Sequence, residues 1–480
     1  METSQSHGRK RIIIIGGGVA GSEAGTYLGD KTNKPVEIVE IESEARRKFG
    51  GWGFQSFPNT ETTNLALRKM YLGREPNQII DWANNQMARR RWPDELRKLQ
   101  LVPDRPFPRM LMREYVAWRR ANVQNPLASY KSIIGEAMKV SVGTDGKANV
   151  QLRSGQQILG DKVIVASGSI SVKIPDYLKP WADHERVIPD PLIREGHERR
   201  ALIPLGAKIL ILGTGLTGEE QVNVLLKLGH ANLTLLSRGG LRHYTYPENQ
   251  KNTPLVLAKR PEFLLATTPE EFNQQLSEFY ADFLNKGHSP EDILSAVRPF
   301  WNELRGELGG CVKAAERLRT FRRMLAVNSI GVSWEVGENL RVAEAAGKLT
   351  IDHGYIKEIK ERDGQFDVYF AEKEGADEIS VKQFDYIINA VGRSIIRHPL
   401  WDQLLKDGLA KKHAGIGVRV NKQGQMINEQ GVPSNTLSVV GMARAGDHAL
   451  RHGFLGNTAF NVPQVRSHVY DTVDALIKNW

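Results

Sequence analysis

The most ordered hydrophobic pattern in the chain is Arg11–Gly21, RIIIIGGGVAG, where consecutive isoleucines run straight into glycines. A strand that is apolar at every position has no face to offer water, so it predicts a place inside a parallel sheet covered on both sides. A helix is expected from about Ser22 to Gly29, followed by a strand, PVEIVE, from Pro35 to Glu40. The same grammar returns at 208–221 as KILILGTGLTGEEQ, then a helical stretch, then the strand LTLLSR ending at Arg238. A repeated strand–turn–helix–strand unit predicts an α/β protein with two Rossmann-like dinucleotide-binding domains.

Two further buried strands end in small-residue turns: DKVIVASGS (Asp161–Ser169) and FDYIINAVGRS (Phe384–Ser394). They are the expected exit from, and return to, the first sheet. The first domain is therefore expected to be discontinuous, over 1–172 and 384–480, with the second over 173–383. Residues from about 242 to 335 are rich in helix signals and poor in strand signals, predicting a helical insertion in the second domain. Within it Thr268 reads as an N-cap, Pro269 as the first helical residue and Glu271 as the capping-box carboxylate. Phe272, Leu276, Phe279 and Phe283 share one helical face before Gly287 ends the run, a stripe suited to core packing.

Composition narrows the chemistry. A chain of 480 residues outgrows one hydrophobic core. The 65 basic and 55 acidic residues leave a charge of +10 spread along the chain, compatible with phosphate-bearing cofactors but without a nucleic-acid footprint. Arg89-Arg90-Arg91 beside Trp92 reads as an exposed helix face. Cys311 is the only cysteine, which excludes an internal disulfide and a dithiol relay. The run Ile12–Ile15 is too short for a signal peptide or a membrane span, so a cytoplasmic protein with no membrane partner is expected. Asp447, His448 and His452 near the C-terminus predict no metal site, since no glutamate follows the first histidine and nearby glycines weaken a helix.

The glycine turns carry the main chemical signal. Gly16-x-Gly18-x-x-Gly21 follows a strand and opens a helix, where Gly16 allows the turn, Gly18 the approach of a pyrophosphate, and Gly21 close helix packing. With Val19 and Ala20 in the first turn, the helix end offers unpaired N–H groups to phosphate. About twenty residues on, Glu40 can accept hydrogen bonds from a ribose diol, with Glu42 the alternative if the register slips by two. The second turn, Gly213-x-Gly215-x-x-Gly218 with Leu216 and Thr217, leads instead to Ser237-Arg238. A hydroxyl and a guanidinium can hold a 2′-phosphate that a carboxylate would repel. FAD is thus expected in the first domain and NADPH in the second, with hydride passing from nicotinamide to flavin. The glycine-dense loop Phe49–Phe54, containing Gly51, Trp52 and Gly53, allows close approach to a flat ring or diphosphate. Ala166 and Gly168 in the turn after the Asp161 strand, and Arg109 ahead of the helical REYVAW, are further candidate cofactor contacts.

These motifs together resemble the two-domain FAD/NAD(P)-binding proteins typified by bacterial YdhS-like proteins, one branch of which contains flavin-dependent urate hydroxylases. The resemblance runs from Arg11 to about Arg466 and rests on GGWGFQS with NTETTNLAL, FPRMLMREYVAW, ILGTGLTGEE with GHANLTLLSRGGL, and RTFRRMLAVNSIGVSWEV. The segment from Asp385 to Pro399 is also similar to the ATG-containing segment of flavin N-hydroxylating and Baeyer–Villiger-type monooxygenases, with Val391 and Arg393 in place of the usual Thr and Tyr. The FxGxxxHxxxWP fingerprint of Baeyer–Villiger enzymes is absent. The resemblance implies Trp52, Gln55 and Asn64 nearest the isoalloxazine. It places Gly441 beside the ribityl chain, where Met442 replaces the usual aspartate. The expected activity is oxidation of a small molecule, an amine or N-heterocycle foremost, by O2 through a flavin C4a-(hydro)peroxide. The alternatives are an NADPH dehydrogenase or flavin reductase serving a quinone or carrier, and a nucleotide-sensing protein without catalysis.

Overall fold

The computed structural model describes residues 9–54, 61–168, 171–240, 242–249, 255–266, 268–288, 331–394, 396–413, 417–444 and 462–479, with short pieces between 292 and 303. The first part of the chain forms β1 (Lys10–Ile15), α1 (Val19–Lys31), β2 (Val36–Glu42), α2 (Leu111–Ala121), β3 (Ala128–Ile134), β4 (Ala137–Val142), β5 (Ala148–Leu152), β6 (Gln157–Gly160) and β7 (Lys162–Val165). β1 pairs in parallel with β2 on one side and β7 on the other. Ile12 and Ile14 point to one face, against Ala24 and Leu28 of α1. Ile13 and Ile15 point to the other, against Val140 and Val150 of the antiparallel β4–β6 meander. Both faces are roofed, which is why every position after Arg11 is apolar. β2 runs two residues beyond the expected Glu40, to Glu42.

The second domain repeats the plan. Its elements are β8 (Val187–Ile188), α3 (Arg194–Ala201), β9 (Ile209–Leu212), α4 (Leu216–Lys227), β10 (Leu233–Ser237), α5 (Pro269–Asn285), α6 (Trp334–Ala345), β11 (Leu349–His353), β12 (Tyr355–Arg362), β13 (Gln365–Ala371), β14 (Ser380–Phe384) and β15 (Tyr386–Asn389). The parallel sheet has the order β11-β10-β9-β15-β8. Ile209 and Ile211 pack under α4 and α6, and Leu210 and Leu212 against the β12–β14 meander. In α5 the Thr268 side chain accepts from the Glu271 amide at 3.2 Å and Pro269 opens the helix. Leu276 and Tyr280 are buried, with Phe279 and Phe283 packed beside them. No helix among the described residues is long and apolar enough to cross a membrane.

The chain passes between domains on two linkers that lie side by side, Ser171–Val172 pairing antiparallel with Arg393–Ser394. The return therefore falls later than the expected residue 384. Tyr386–Asn389 is a buried strand that pairs between β9 and β8, so it belongs to the second sheet. The buried Asn389 amide pins the linkers by donating to the Lys173 and Pro189 carbonyls, both at 2.9 Å. Beyond the return, β16 (Gln425–Ile427), β17 (Pro433–Val439) and α7 (Val462–Lys478) complete the first domain. Its sheet then has the order β16-β17-β7-β1-β2-β3. In both sheets the chain reverses direction of growth beside the central strand, between β1 and β7 and between β9 and β15. In open α/β sheets the crevice at such a switch point is where ligands dock.

Candidate functional site

Each switch point carries a glycine turn of the same construction. Gly16 has φ +105° and its missing Cβ would stand 2.5 Å from the Ala166 carbonyl oxygen at the end of β7. Gly213 has φ +103° and the same relation to the Ala390 carbonyl oxygen, at 2.8 Å. A side chain at Gly21 would overlap the Gly16 carbonyl oxygen, and one at Gly218 the Gly213 carbonyl oxygen. Gly18 and Gly215 cap α1 and α4, with Val19, Ala20, Leu216 and Thr217 in the first turns. The N–H groups of each helix end thus face the crevice without a side-chain cap, as an anion site requires.

Around the first turn the acidic residues sort themselves. Glu42, not Glu40, stands at the strand end: its Oε2 accepts from the Gly17 amide at 2.9 Å, and its Oε1 from the Ser43 amide and hydroxyl at 2.7 and 2.9 Å. Glu40 is 2% exposed and paired with Arg120 of α2 at 2.5 Å. Gly25 of α1 leaves the room, since a Cβ there would meet both Glu40 and Arg120. Gly51 lies across the turn, its Cα 3.1 Å from where a Gly18 Cβ would be, and Gly441 touches Ala20 in the same way at 3.0 Å. Gly168 borders open space. This is a cradle that side chains would fill, and its backbone donors, glycine approach and strand-end carboxylate fit an adenine dinucleotide such as FAD.

At the second turn, a cleft of about 640 Å³ opens, lined by Gly213, Thr214, Ser237, Arg238, Tyr177, Lys173 and Arg397. Ser237 Oγ accepts from Thr214 Oγ1 at 2.9 Å and from the Gly240 amide at 3.0 Å, tying the strand end to the glycine turn. Its proton remains available for donation. Arg238 is exposed, and its charge opposes the burial that raises the Tyr177 phenol. Among the described residues, four cations, Lys173, Lys179, Arg238 and Arg397, line the cleft against one acid, Asp176. Nothing within 4 Å would oppose a side chain at Gly215, so the backbone there is open to a ligand. The donor set fits a phosphorylated dinucleotide such as NADPH. Lys173 and Arg397 were not legible in the sequence, since they come from the two linkers and share no spacing with the glycine turn.

Of the remaining expected residues, Trp52 and Arg109 lie where the domains meet. Two guanidinium groups lie over the Trp52 ring, Arg47 3.5 Å and Arg393 4.5 Å from its centre. Arg393 also pairs with Asp190 of the second domain. Gly53 is exposed beside it, and Asn64 is half-buried after the Thr62–Pro108 bridge. Arg109, a candidate cofactor contact, crosses to Glu220 of α4 and donates to the Thr62 carbonyl at 3.2 Å. Its guanidinium is pulled down from its ordinary value by burial, and a buried cation takes the nearest fixed carboxylate. Gln55, Cys311, Asp447, His448 and His452 lie outside the described residues.

Fold and turns together define a two-domain dinucleotide-binding flavoprotein fold, and residues 13–170 match the family profile described as FAD-NAD(P)-binding. Among solved structures, the reduced form of ornithine hydroxylase from Pseudomonas aeruginosa aligns over 98% of this chain and 99% of that one, with a TM-score of 0.58 at 15% identity. L-lysine 6-monooxygenase from Pseudomonas syringae covers 98% and 99%, with 0.54 at 13%. Bacillithiol disulfide reductase from Bacillus cereus covers 98% and 100%, with 0.53 at 12%. No curated protein sequence matches the chain. Oxygenases and a disulfide reductase share this architecture, so activity has to be argued from the residues.

Proposed function

We propose that the chain is an FAD-dependent, NADPH-using monooxygenase that hydroxylates a small organic molecule, an amine or N-heterocycle foremost. The observation that carries this reading is a pair of nucleotide cradles with unlike strand-end acceptors, Glu42 in one domain and Ser237-Arg238 in the other, in a chain with one cysteine. With no dithiol to pass electrons onward, a diffusible acceptor has to come to the flavin.

In this reading Glu42, rather than the buried Glu40, accepts the ribose hydroxyls of FAD. The amides from Gly16 to Gly21 hold its pyrophosphate, and Ala166, Gly168 and Gly441 border its path. Ser237 and Arg238 grip the 2′-phosphate of NADPH, with Gly213, Gly215 and Gly218 admitting the pyrophosphate. Trp52, beside Arg393 of the linker, and Asn64 would wall the space between the cofactors and restrict water. Bound FAD would supply hydride acceptance and the activation of O2. The names of the ornithine and lysine enzymes accord with an amine substrate, as does the resemblance to N-hydroxylating sequences at Asp385–Pro399.

The test is incubation of the purified flavoprotein with NADPH, O2 and a panel of amines and N-heterocycles, with products read by mass. A product heavier by one oxygen atom is expected. NADPH oxidation that needs a quinone and yields no oxygenated product would reassign the chain to the NADPH dehydrogenases. No steady oxidation above the free-flavin background would favour nucleotide sensing.

A further inference from the structure

Glu219 and Glu220 follow Gly218 directly and stand near the N-terminal end of α4, the helix that closes the second cradle. A carboxylate there is drawn to the positive end of the helix dipole, and a pyrophosphate docking at the same end is drawn to the same potential. Two anions in one low-dielectric corner repel unless one of them is neutralised. Glu219 is held within its own domain by a neutral donor, its Oε1 accepting from the His243 amide at 3.1 Å. Among the described residues, Glu220 takes its cation from the other domain. Its cation is Arg109, which arrives from the first domain, on the segment bridged to Thr62 and two residues ahead of α2. The side chains of the pair are only 16% and 8% exposed, so solvent screens the interaction weakly.

We propose that Arg109 is a positioning residue for the nucleotide: by neutralising Glu220 it makes the affinity of the second cradle depend on the docking of the first domain against α4. The inference rests on the reading that this cradle binds NADPH. Linkage requires the converse as well, so a bound nucleotide favours the docked arrangement by the same factor. With the first domain away from α4, Glu220 would stand without its cation on the helix that closes the cradle, and the nucleotide would bind more weakly. The rival account is that Arg109 merely props the interface mechanically, in which case the charge on Glu220 is irrelevant to binding.

Four proteins separate the two accounts: the wild-type flavoprotein, Arg109→Met, Glu220→Gln and the double variant, each titrated with NADP+ by calorimetry. Arg109→Met is expected to raise Kd about tenfold or more by leaving an unneutralised carboxylate. Glu220→Gln, which keeps the arginine and removes the anion, should tighten binding about threefold. The double variant should return to within about threefold of wild type. A double variant as weak as Arg109→Met, or an Arg109→Met that binds like wild type, overturns the proposal. Should Arg109→Met not fold, Glu220→Gln decides alone, since a mere prop predicts unchanged or weaker binding. A wild type that does not bind NADP+ overturns the cradle reading and this proposal with it, whereas wild-type binding with unresponsive variants overturns this proposal only.

Discussion

Glu40 and Glu42 show how little separates two roles at the residue scale. Two positions apart on a strand, they face the same way, toward α1. Glu40 lies beneath the body of the helix and meets Arg120, while Glu42 lies at its mouth and meets the Gly17 amide. Spacing from the glycine turn could not choose between them, because both fall near the expected distance. What decides is Arg120, eighty positions along the chain from Glu40, and no local pattern announces it. Exchanging either acid for its amide should therefore do different things. Glu42→Gln is expected to purify with less flavin, read as the ratio of flavin to protein absorbance, with folding little changed. Glu40→Gln leaves Arg120 buried beside a neutral amide, which should cost about 2–3 kcal/mol in urea unfolding while flavin content holds. The same flavin loss in both variants would dismiss the assignment of Glu42.

The element scale is where sequence reading works best, because a strand–turn–helix unit is built from neighbours. Gly16 and Gly213 need positive φ, Gly21 and Gly218 need helix against strand, and these demands act within six residues. The three glycines of the second turn are nevertheless separable by what surrounds them. Gly218→Ala puts a methyl onto the Gly213 carbonyl oxygen, so α4 has to leave β9 and a marked fall in melting temperature is expected. Gly215→Ala meets nothing within 4 Å and its φ of −76° suits any residue. It should fold with stability within about 1 kcal/mol of wild type yet bind NADP+ at least tenfold more weakly, because the methyl occupies the approach of the pyrophosphate. Thermal melts and nucleotide titrations on the two variants check this; tight NADP+ binding by Gly215→Ala would argue against a pyrophosphate at that turn. The boundary at residue 384 was less legible for an instructive reason. FDYIINAVG and DKVIVASG read alike, and both are buried strands ending in small residues. Only the pairing of Tyr386–Asn389 with Ile209–Leu212 shows that the former serves the second sheet.

For the whole molecule, the contacts between domains matter most, and they include a buried charge cluster beside Arg109. His197 of α3 faces Glu61 of the first domain with Nε2 4.0 Å from the carboxylate, and Arg200 lies 2.7 Å from its Nδ1. Arginine only donates, so Nδ1 accepts and Nε2 carries the proton of a neutral ring. Burial, with Arg200 adding to it, holds this imidazole down at about 4. The folded protein thus refuses a proton that the unfolded chain takes up near its ordinary value of 6.5. Above pH 6.5 neither state is protonated there and nothing is lost. As pH falls from that value toward 4, the group withdraws on the order of 3 kcal/mol of stability. His197→Gln keeps an acceptor for Arg200 and cannot titrate, so its stability should fall less between pH 7 and pH 5 than that of the wild type. Urea unfolding at a series of pH values measures the difference, and equal slopes in both proteins would rule His197 out as the source.

Two dinucleotide folds, their order along the chain, the absence of a dithiol relay and the unlike ends of the two acceptor strands are all readable from sequence, because each depends on residues near one another or on composition. Which glutamate reaches the glycine turn, which strand belongs to which sheet, and that Arg109 reaches Glu220 are settled by packing alone. A buried charge takes whatever partner the folded chain brings within reach, and that partner is chosen by how the two domains and their linkers meet.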